Sequence, residues 1–332
     1  MSDVIGVDLG GTKVAVARLQ DSELGEATTR PTVQSGSDDL IEQLASMIES
    51  CRGQELDGVG VGVPSVVEFD TGRIVSTTNL PLADVRLRDV LGERLGVPVF
   101  VDNDATVAAL AEAHDDELRM VARDLVMITI GTGVGGGLVL GGRIYRGATG
   151  AAGELGHTLV ALNLSGEVPR PERFPQPGSL EAVAAGRALD ALVAGCAENH
   201  PDSSLGRQRA SGREVLGADA VRAAHEGDAD AVSLVERWAE HVGVGVVNAI
   251  NTFDPEEVVI GGGAARAGEL LLEPVRRFAA EYVLPGLGTH TTIRVARHGV
   301  GAGVLGAALL AAHELAQSPE RSSSGSPTEV RR

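Results

Sequence analysis

Five short stretches of this chain carry residue types that do chemistry when a turn of backbone holds them in place. The first is Asp8-Leu9-Gly10-Gly11-Thr12-Lys13. Glycines at a strand turn let backbone N–H groups close on a phosphate, and Thr12 adds a hydroxyl donor. Asp8, at the strand end, is placed to hold a hydrated Mg²⁺. The same residue types also build an ordinary hairpin turn. The second stretch, residues 131–137, has five glycines in seven positions between two apolar runs. Such a run weakens a hairpin unless the backbone must meet something. It is not a Walker A loop, because no Gly-Lys-Ser/Thr opens a helix, and not a Rossmann turn, because a strand follows. Two glycine-rich hairpins facing each other would clamp the β- and γ-phosphates of a nucleotide from both sides.

The third stretch, Asp102-Asn103-Asp104, sits where a strand gives way to a helix, the place where ligands meet α/β sheets. A carboxylate here would serve as the base that takes a hydroxyl proton, an effect typically worth about 10²–10⁴-fold. Asp and Asn are also the standard helix N-caps, although a cap needs only one of the three. In the fourth, Gly153-Glu154-Leu155-Gly156-His157, Glu154 and His157 would share a face if helical. Planar, bidentate polar groups suit a sugar, yet a solvated turn or a histidine bonded within the fold would read the same way. The fifth, Gly261-Gly262-Gly263, follows an apolar strand and precedes a helix. Three glycines there let a flat group such as adenine pack on backbone, while a tight crossover needs only one.

The elements that must position these residues alternate between strand and helix. Apolar runs at 4–7 and 14–17 predict a hairpin around the first turn. Runs at 125–130 and 138–140 predict a second hairpin around 131–137, and Gly141-Gly142 turns the chain again into Arg143-Ile144-Tyr145. Similar hairpins at the heads of two halves predict an internally duplicated architecture. Helical spacing marks 38–51, with Ser37 as N-cap, then 84–95 closed by Gly96, and 104–114. It also marks 179–193, 218–225, 229–250, 267–279 and 304–315, while 58–63, 97–101, 258–260 and 292–296 read as strands. The class is α/β. Residues 316–332, rich in Ser, Pro and charge, are expected to be disordered.

Composition narrows the function classes. With 332 residues, 43% of them apolar, the chain can fill two ordinary domains. Only 2% are aromatic, so the cores must come from Val, Leu, Ile and Ala. A net charge of −18 opposes a nucleic-acid partner but not ATP, whose phosphates backbone N–H groups and a metal ion can hold. Cys51 and Cys196 make no disulfide framework, which fits a reducing cytosol. The acidic start is unlike a signal peptide, and no apolar run is expected to reach membrane-spanning length. These features predict a cytoplasmic protein with no membrane partner.

The pieces, in their order, resemble the ROK family (repressors, open reading frames and sugar kinases) and within it the glucokinases. The resembling residues are DLGGTK at 8–13, GVP at 62–64, VDNDATVAALAEA at 101–113, IGTGVGGGLVLGGRIYRGATGAAGELGH at 130–157, GSLE at 178–181 and VVIGGG at 258–263. The resemblance implies the two-domain actin-like (hexokinase–actin–heat-shock) fold with a cleft between the domains. The smaller domain would span 1–113, completed by a helix at about 300–316, and the larger one 114–299. Asp104 matches the family's catalytic base, and Asn103, Glu154, His157 and Glu181 its sugar contacts, with Gly62 and Asn79 beside the substrate. Asp8, Gly10, Gly11, Thr12, Lys13, Gly131, Thr132, Gly133, Gly261, Gly262 and Gly263 match its nucleotide and Mg²⁺ positions. The implied reaction moves the γ-phosphoryl of MgATP to a hexose, glucose at O6 first of all. Fructose, mannose, allose or an N-acetylhexosamine as acceptor, and polyphosphate as donor, stay open. A sugar-sensing repressor, the family's other branch, would need a helix-turn-helix domain ahead of Asp8. Family members are commonly dimers or tetramers, so a homo-oligomer is implied.

Two departures from the family pattern carry expectations of their own. Most members hold a structural zinc in Cys-x-Cys-Gly-x-x-Gly-Cys-x-Glu, completed by the histidine of the Gly-His pair. Here Glu172, Phe174 and Ser179 stand where the cysteines belong, and zinc wants four good ligands, so no structural zinc is expected. A carboxylate, Glu172 being the candidate, would then orient His157, the alternative being a backbone carbonyl or water. The prolines of 167–177 would supply rigidity. Ser65 follows Gly-Val-Pro where the family continues with glycine, and its hydroxyl would either add a sugar contact or narrow the pocket.

Overall fold

The computed structural model describes residues 3–77, 79–163, 165 and 174–317. Two compact units divide the chain. One comprises the residues up to Arg119, Arg146–Ala151 and the chain from Val300 onward. The other comprises Met120–Tyr145 and Ala152–Gly299.

In the first unit the apolar runs near the start become the strands Val4–Leu9 and Lys13–Gln20, paired antiparallel. The strand Gly58–Val63 joins Val4–Leu9 in parallel, and Val99–Asn103 joins that in turn. On one face Ile5, Val7 and Leu9 share a core with the helix Ser37–Cys51, whose Leu40, Leu44, Met47 and Ile48 are fully buried. Each such side chain contributes roughly 1.5–3 kcal/mol of apolar burial. The alternate residues are small for a reason. A Cβ at Gly6 would lie 2.1 Å from the Val304 carbonyl oxygen, and one at Gly60 1.8 Å from that of Ala307. The helix Ala302–Gln317 therefore lies directly on the sheet backbone. It meets the helix Asp104–Glu112 just as closely, since a Cβ at Gly306 would fall 1.8 Å from the Val107 oxygen. The segment 299–317 is apolar and long enough to cross a membrane by composition, with mean hydropathy 1.5, which corrects the expectation that no run reaches that length. Its Val304, Leu305, Leu309 and Leu310 are buried within this unit, as in a core helix.

The second unit repeats the design. Leu125–Ile130 and Val134–Leu140 pair antiparallel, Arg143–Ile144 extends the hairpin, and Glu257–Gly261 and Thr292–Val295 add in parallel. The first sheet has the same order, with Glu23–Leu24 extending its hairpin, and adds only Thr28–Pro31, so each unit carries one copy of the same hairpin-plus-parallel arrangement. The 25-residue helix Ala229–Phe253 supplies much of the core, with Trp238 buried and its Nε1–H donated to the Ala184 carbonyl at 2.9 Å.

Several expected elements differ. The strand after the second hairpin turn starts at Val134, so Gly135, Gly136 and Gly137 are strand residues and the turn is only 131–133. Gly136 is a glycine because the 153–157 segment packs on it: a Cβ there would sit 2.2 Å from the Gly153 oxygen. The expected helix at 179–193 is two helices, Leu180–Ala184 and Gly186–Asn199, broken where Ala185 is extended. Gly36, not Ser37, precedes the first helix, without a side-chain cap. The helix expected from 84 begins at Leu87, because Val85–Arg86 pair with the strand Arg73–Thr77. The helix Ser204–Ala210 and the strand Ser65–Glu68 carried no periodic signal strong enough to read. The expected disorder at 316–332 falls, from 318 on, outside the described residues.

Candidate functional site

The first unit gathers Asp8, Gly62 and Asp102–Asp104 at the carboxyl ends of parallel strands. Register sets Asp8 opposite Gly62, and Gly62 opposite Asp102. Gly62 has little choice, since a Cβ there would press on Val107 at 2.7 Å. The turn at 10–13 is braced from behind. The Gly10 N–H bonds the Lys13 carbonyl at 2.9 Å, and Thr32 takes the carbonyls of Gly10 (2.7 Å) and Thr12 (3.0 Å). Gln34 takes that of Gly11 at 2.7 Å, and Asn79 packs against Gly11. The carbonyls of Gly10, Gly11 and Thr12 are thus all engaged, which fixes the shape of the turn. Neither Thr32 nor Gln34 was legible as part of this site.

Asp102, Asn103 and Asp104 divide three tasks. Asp102, 1% exposed, pairs with Arg146 at 2.7 Å; burial raises its pKa and the guanidinium opposes that rise. Arg146 also bonds Glu314 at 2.9 Å and lies over the Phe69 ring at 3.4 Å. Asn103 is the N-cap, its Oδ1 accepting from Ala105 (2.9 Å) and Thr106 (3.2 Å), while its Nδ2 donates to the Ser65 carbonyl. Asp104 has neither task. It forms no ion pair among the described residues; its Oδ1 accepts the Ala105 N–H within the helix it opens, and the Asn103 side chain also hydrogen-bonds its carboxylate. Burial raises its pKa.

Asp8 is raised to about 6, by burial first and by the nearby charge of Asp104, with Lys13 pulling the other way. A Cβ at Gly303 would meet its carboxylate at 2.6 Å, so the glycine opening the C-terminal helix makes room for it. Two mutually repelling, part-buried carboxylates beside a phosphate-type turn are short of positive charge, and a divalent cation fits that shortage. Among the described residues no three His, Cys, Asp or Glu side chains cluster as a cage. A cation here would thus complete its shell with water and phosphate oxygens, as Mg²⁺ does.

The second unit builds a cavity and a polar rim. The 131–133 turn is closed by Gly131 N–H to Gly133 C=O at 2.9 Å, and the Gly186 N–H reaches the Gly131 carbonyl at 2.8 Å. That contact explains the helix break at Ala185. Gly262, with φ +74°, lies under Ile130, whose carbonyl a Cβ would meet at 2.5 Å. Gly131, Thr132 and Gly263 line a cavity of about 780 Å³, walled by Leu189, Val221 and Trp238. A mostly apolar chamber opening on a glycine turn suits a nucleotide base and ribose with phosphates at the turn.

Glu154, His157 and Glu181 are brought together around the same strand. A Cβ at Gly156 would strike the Val134 oxygen at 2.1 Å, and Leu180 N–H bonds the Thr158 carbonyl at 2.8 Å. His157 closes a single 3₁₀ turn, its Nε2 3.8 Å from Glu154 Oε2. Phe174 meets the His157 ring edge-on at 5.8 Å, and Gln176 donates to the His157 carbonyl at 3.3 Å. Ser179, fully buried, caps the helix Leu180–Ala184 with its hydroxyl. Phe174, largely exposed, thus only meets the edge of His157, and Ser179 caps a helix, where the family pattern has cysteines. Glu172, expected to orient His157, lies outside the described residues.

A family model for ROK matches residues 4–314. This chain belongs to the ROK family. The glucokinase of Halalkalibacterium halodurans is 35% identical over 320 residues, covering 92% of this chain and 94% of that protein. The ROK hexokinase of Thermus thermophilus, also 35% identical, superposes with a TM-score of 0.75 over 95% of this chain and 100% of that one. The ROK family glucokinase of Streptomyces griseus, solved in complex with glucose and AMPPNP, is 28% identical with a TM-score of 0.74, covering 94% and 100%. The chain has the actin-like ATPase fold of these ROK kinases.

Proposed function

We propose that this ROK sugar kinase transfers the γ-phosphoryl group of ATP to O6 of glucose, with Asp104 as general base. The observation that carries the proposal is the division of labour at 102–104. Asp102 is spent on Arg146 and the Oδ1 of Asn103 on the cap, its Nδ2 carrying one N–H beyond the Ser65 bond, while Asp104 keeps a carboxylate with no cation on it. A raised pKa suits a base that must hold the hydroxyl proton at the moment of transfer.

In this reading Asn103, Glu154, His157 and Glu181 fix the ring, and Asp104 takes the hydroxyl proton as the oxygen attacks phosphorus in line. The braced turn at 10–13 and the turn at 131–133 hold the phosphates through N–H groups, and the cavity on Gly263 takes the base. Mg²⁺, held at Asp8 through water, would neutralise charge on the transferring group. The glucose-bound AMPPNP complex of the Streptomyces griseus relative supports both ligands as a pair.

The test is sugar-dependent ADP release with glucose, fructose, mannose, allose and N-acetylglucosamine as acceptors and ATP or polyphosphate as donor. Preference for glucose and ATP in kcat/KM is expected. Turnover confined to another hexose would replace the substrate, and release with no acceptor on the panel would remove the kinase reading.

A further inference from the structure

Arg187 stands where a cation is out of place. It is the second residue of the helix Gly186–Asn199, in the turn where the macrodipole disfavours positive charge. Its guanidinium donates to Glu181 Oε1 at 2.5 Å, and the other oxygen of Glu181 accepts the Val134 N–H at 2.8 Å. The fit is tight: a Cβ at Gly133 would lie 2.5 Å from Glu181 Oε2. The Glu181 side chain is 15% exposed and that of Arg187 45%. Arg187 also lines the nucleotide-sized cavity beside Gly131 and Thr132, and the helix that carries it is tied to that turn through Gly186.

We propose that Arg187 couples the two substrates, positioning Glu181 for the sugar while presenting its remaining N–H groups to the nucleotide phosphates. The inference rests on the kinase reading above and assigns a residue that the reading does not require. A guanidinium has five N–H donors in a fixed fork, so one edge can stay on a carboxylate while the other meets a second anion. Phosphates at the 131–133 turn would satisfy the charge that the helix start disfavours. Held from both sides, Arg187 fixes the orientation of Glu181, whose free lone pairs then face sugar hydroxyls already aligned. A sugar on Glu181 fixes Arg187 for the nucleotide in the same way, because coupling between two binding equilibria is reciprocal. Arg266 and Glu226 also line the cavity, and three of its other polar side chains are engaged. Arg222 pairs with Asp219 at 2.7 Å, Asp190 accepts the Gly217 N–H at 2.6 Å, and His225 faces the Arg266 carbonyl at 3.4 Å.

The experiment is calorimetric titration of glucose into the full chain with and without saturating AMPPNP, for wild type, Arg187→Met and Arg187→Lys. Wild type is expected to bind glucose about 5-fold or more tightly when AMPPNP is present. In Arg187→Met that ratio is expected to fall to about one, with each ligand still bound on its own. Arg187→Lys keeps the charge and loses the fork; its ratio should drop below wild type, and it carries the test if the methionine variant does not fold. An unchanged ratio in these variants overturns the proposal. So does an equal weakening of glucose with and without AMPPNP, which would make Arg187 a mere prop. Wild type that binds both ligands without coupling removes this proposal alone; wild type that binds no hexose removes the kinase reading and the coupling with it.

Discussion

Ser65, the first residue of its strand, buries a hydroxyl that finds no hydrogen-bond partner among the described residues, while its carbonyl takes the Nδ2–H of Asn103. An unsatisfied buried hydroxyl costs on the order of 1 kcal/mol or more, so Ser65→Ala is expected to raise the midpoint of thermal unfolding. Glucose KM should stay within about twofold, because a fully enclosed oxygen has no route to a ligand. A rise in KM well beyond that would show that the hydroxyl reaches the sugar. The Arg146–Asp102 pair makes the opposite case. Arg146→Met would strand a buried carboxylate next to Asn103 and Asp104, and is expected to destabilise the fold by about 3 kcal/mol, read from denaturant midpoints. Adding Asp102→Asn should recover much of that loss, and failure to recover would mean that the arginine acts mainly through Phe69 or Glu314. Neither role was legible beforehand. Asp102 and Arg146 lie 44 positions apart, and Arg146 and Glu314 168 apart, so only folding brings them together.

Elements place the site through backbone contact. The helix opened by Asp104 is held against the C-terminal helix at Gly306, and the C-terminal helix against the sheet at Gly60. Gly60→Ala would force that helix off the sheet, since the methyl would overlap the Ala307 carbonyl. Loss of several kcal/mol, or of soluble protein altogether, is the expected result on expression and melting. A protein with unchanged Tm would contradict the packing described. The same two helices meet near His114 and His313, ring centroids 5.3 Å apart. Burial, and then the His114 charge, push His313 down to about 4 from 6.5. The unfolded chain takes up this proton near the ordinary value and the folded chain only well below it. Stability is therefore full above about pH 6.5 and is lost as pH falls towards 4, by on the order of 3 kcal/mol. Denaturant midpoints measured across that range should fall for wild type and flatten for His313→Gln.

At the scale of the molecule, the duplicated design was readable because both hairpins advertise themselves, each an apolar run, a glycine turn and an apolar return. What was misread follows from contacts distant in sequence. Gly135–137 looked like turn because glycine weakens strands, yet they are strand residues, and Gly136 is cut down to admit the segment carrying Glu154 and His157. Periodicity ran straight through Ala185, where the chain instead kinks so that Gly186 can reach the Gly131 turn. The candidate site residues were read by type and order; the bracing by Thr32, Gln34, Arg146 and Arg187 was not legible, since each acts across a fold that periodicity cannot see. The proposed chemistry rests on one carboxylate. The most direct test is the turnover of Asp104→Asn with glucose and ATP beside its glucose affinity and Tm. The account predicts a fall in kcat of at least about 10²-fold with glucose binding and melting close to wild type. Turnover near the wild-type rate in a folded, glucose-binding Asp104→Asn protein would contradict it.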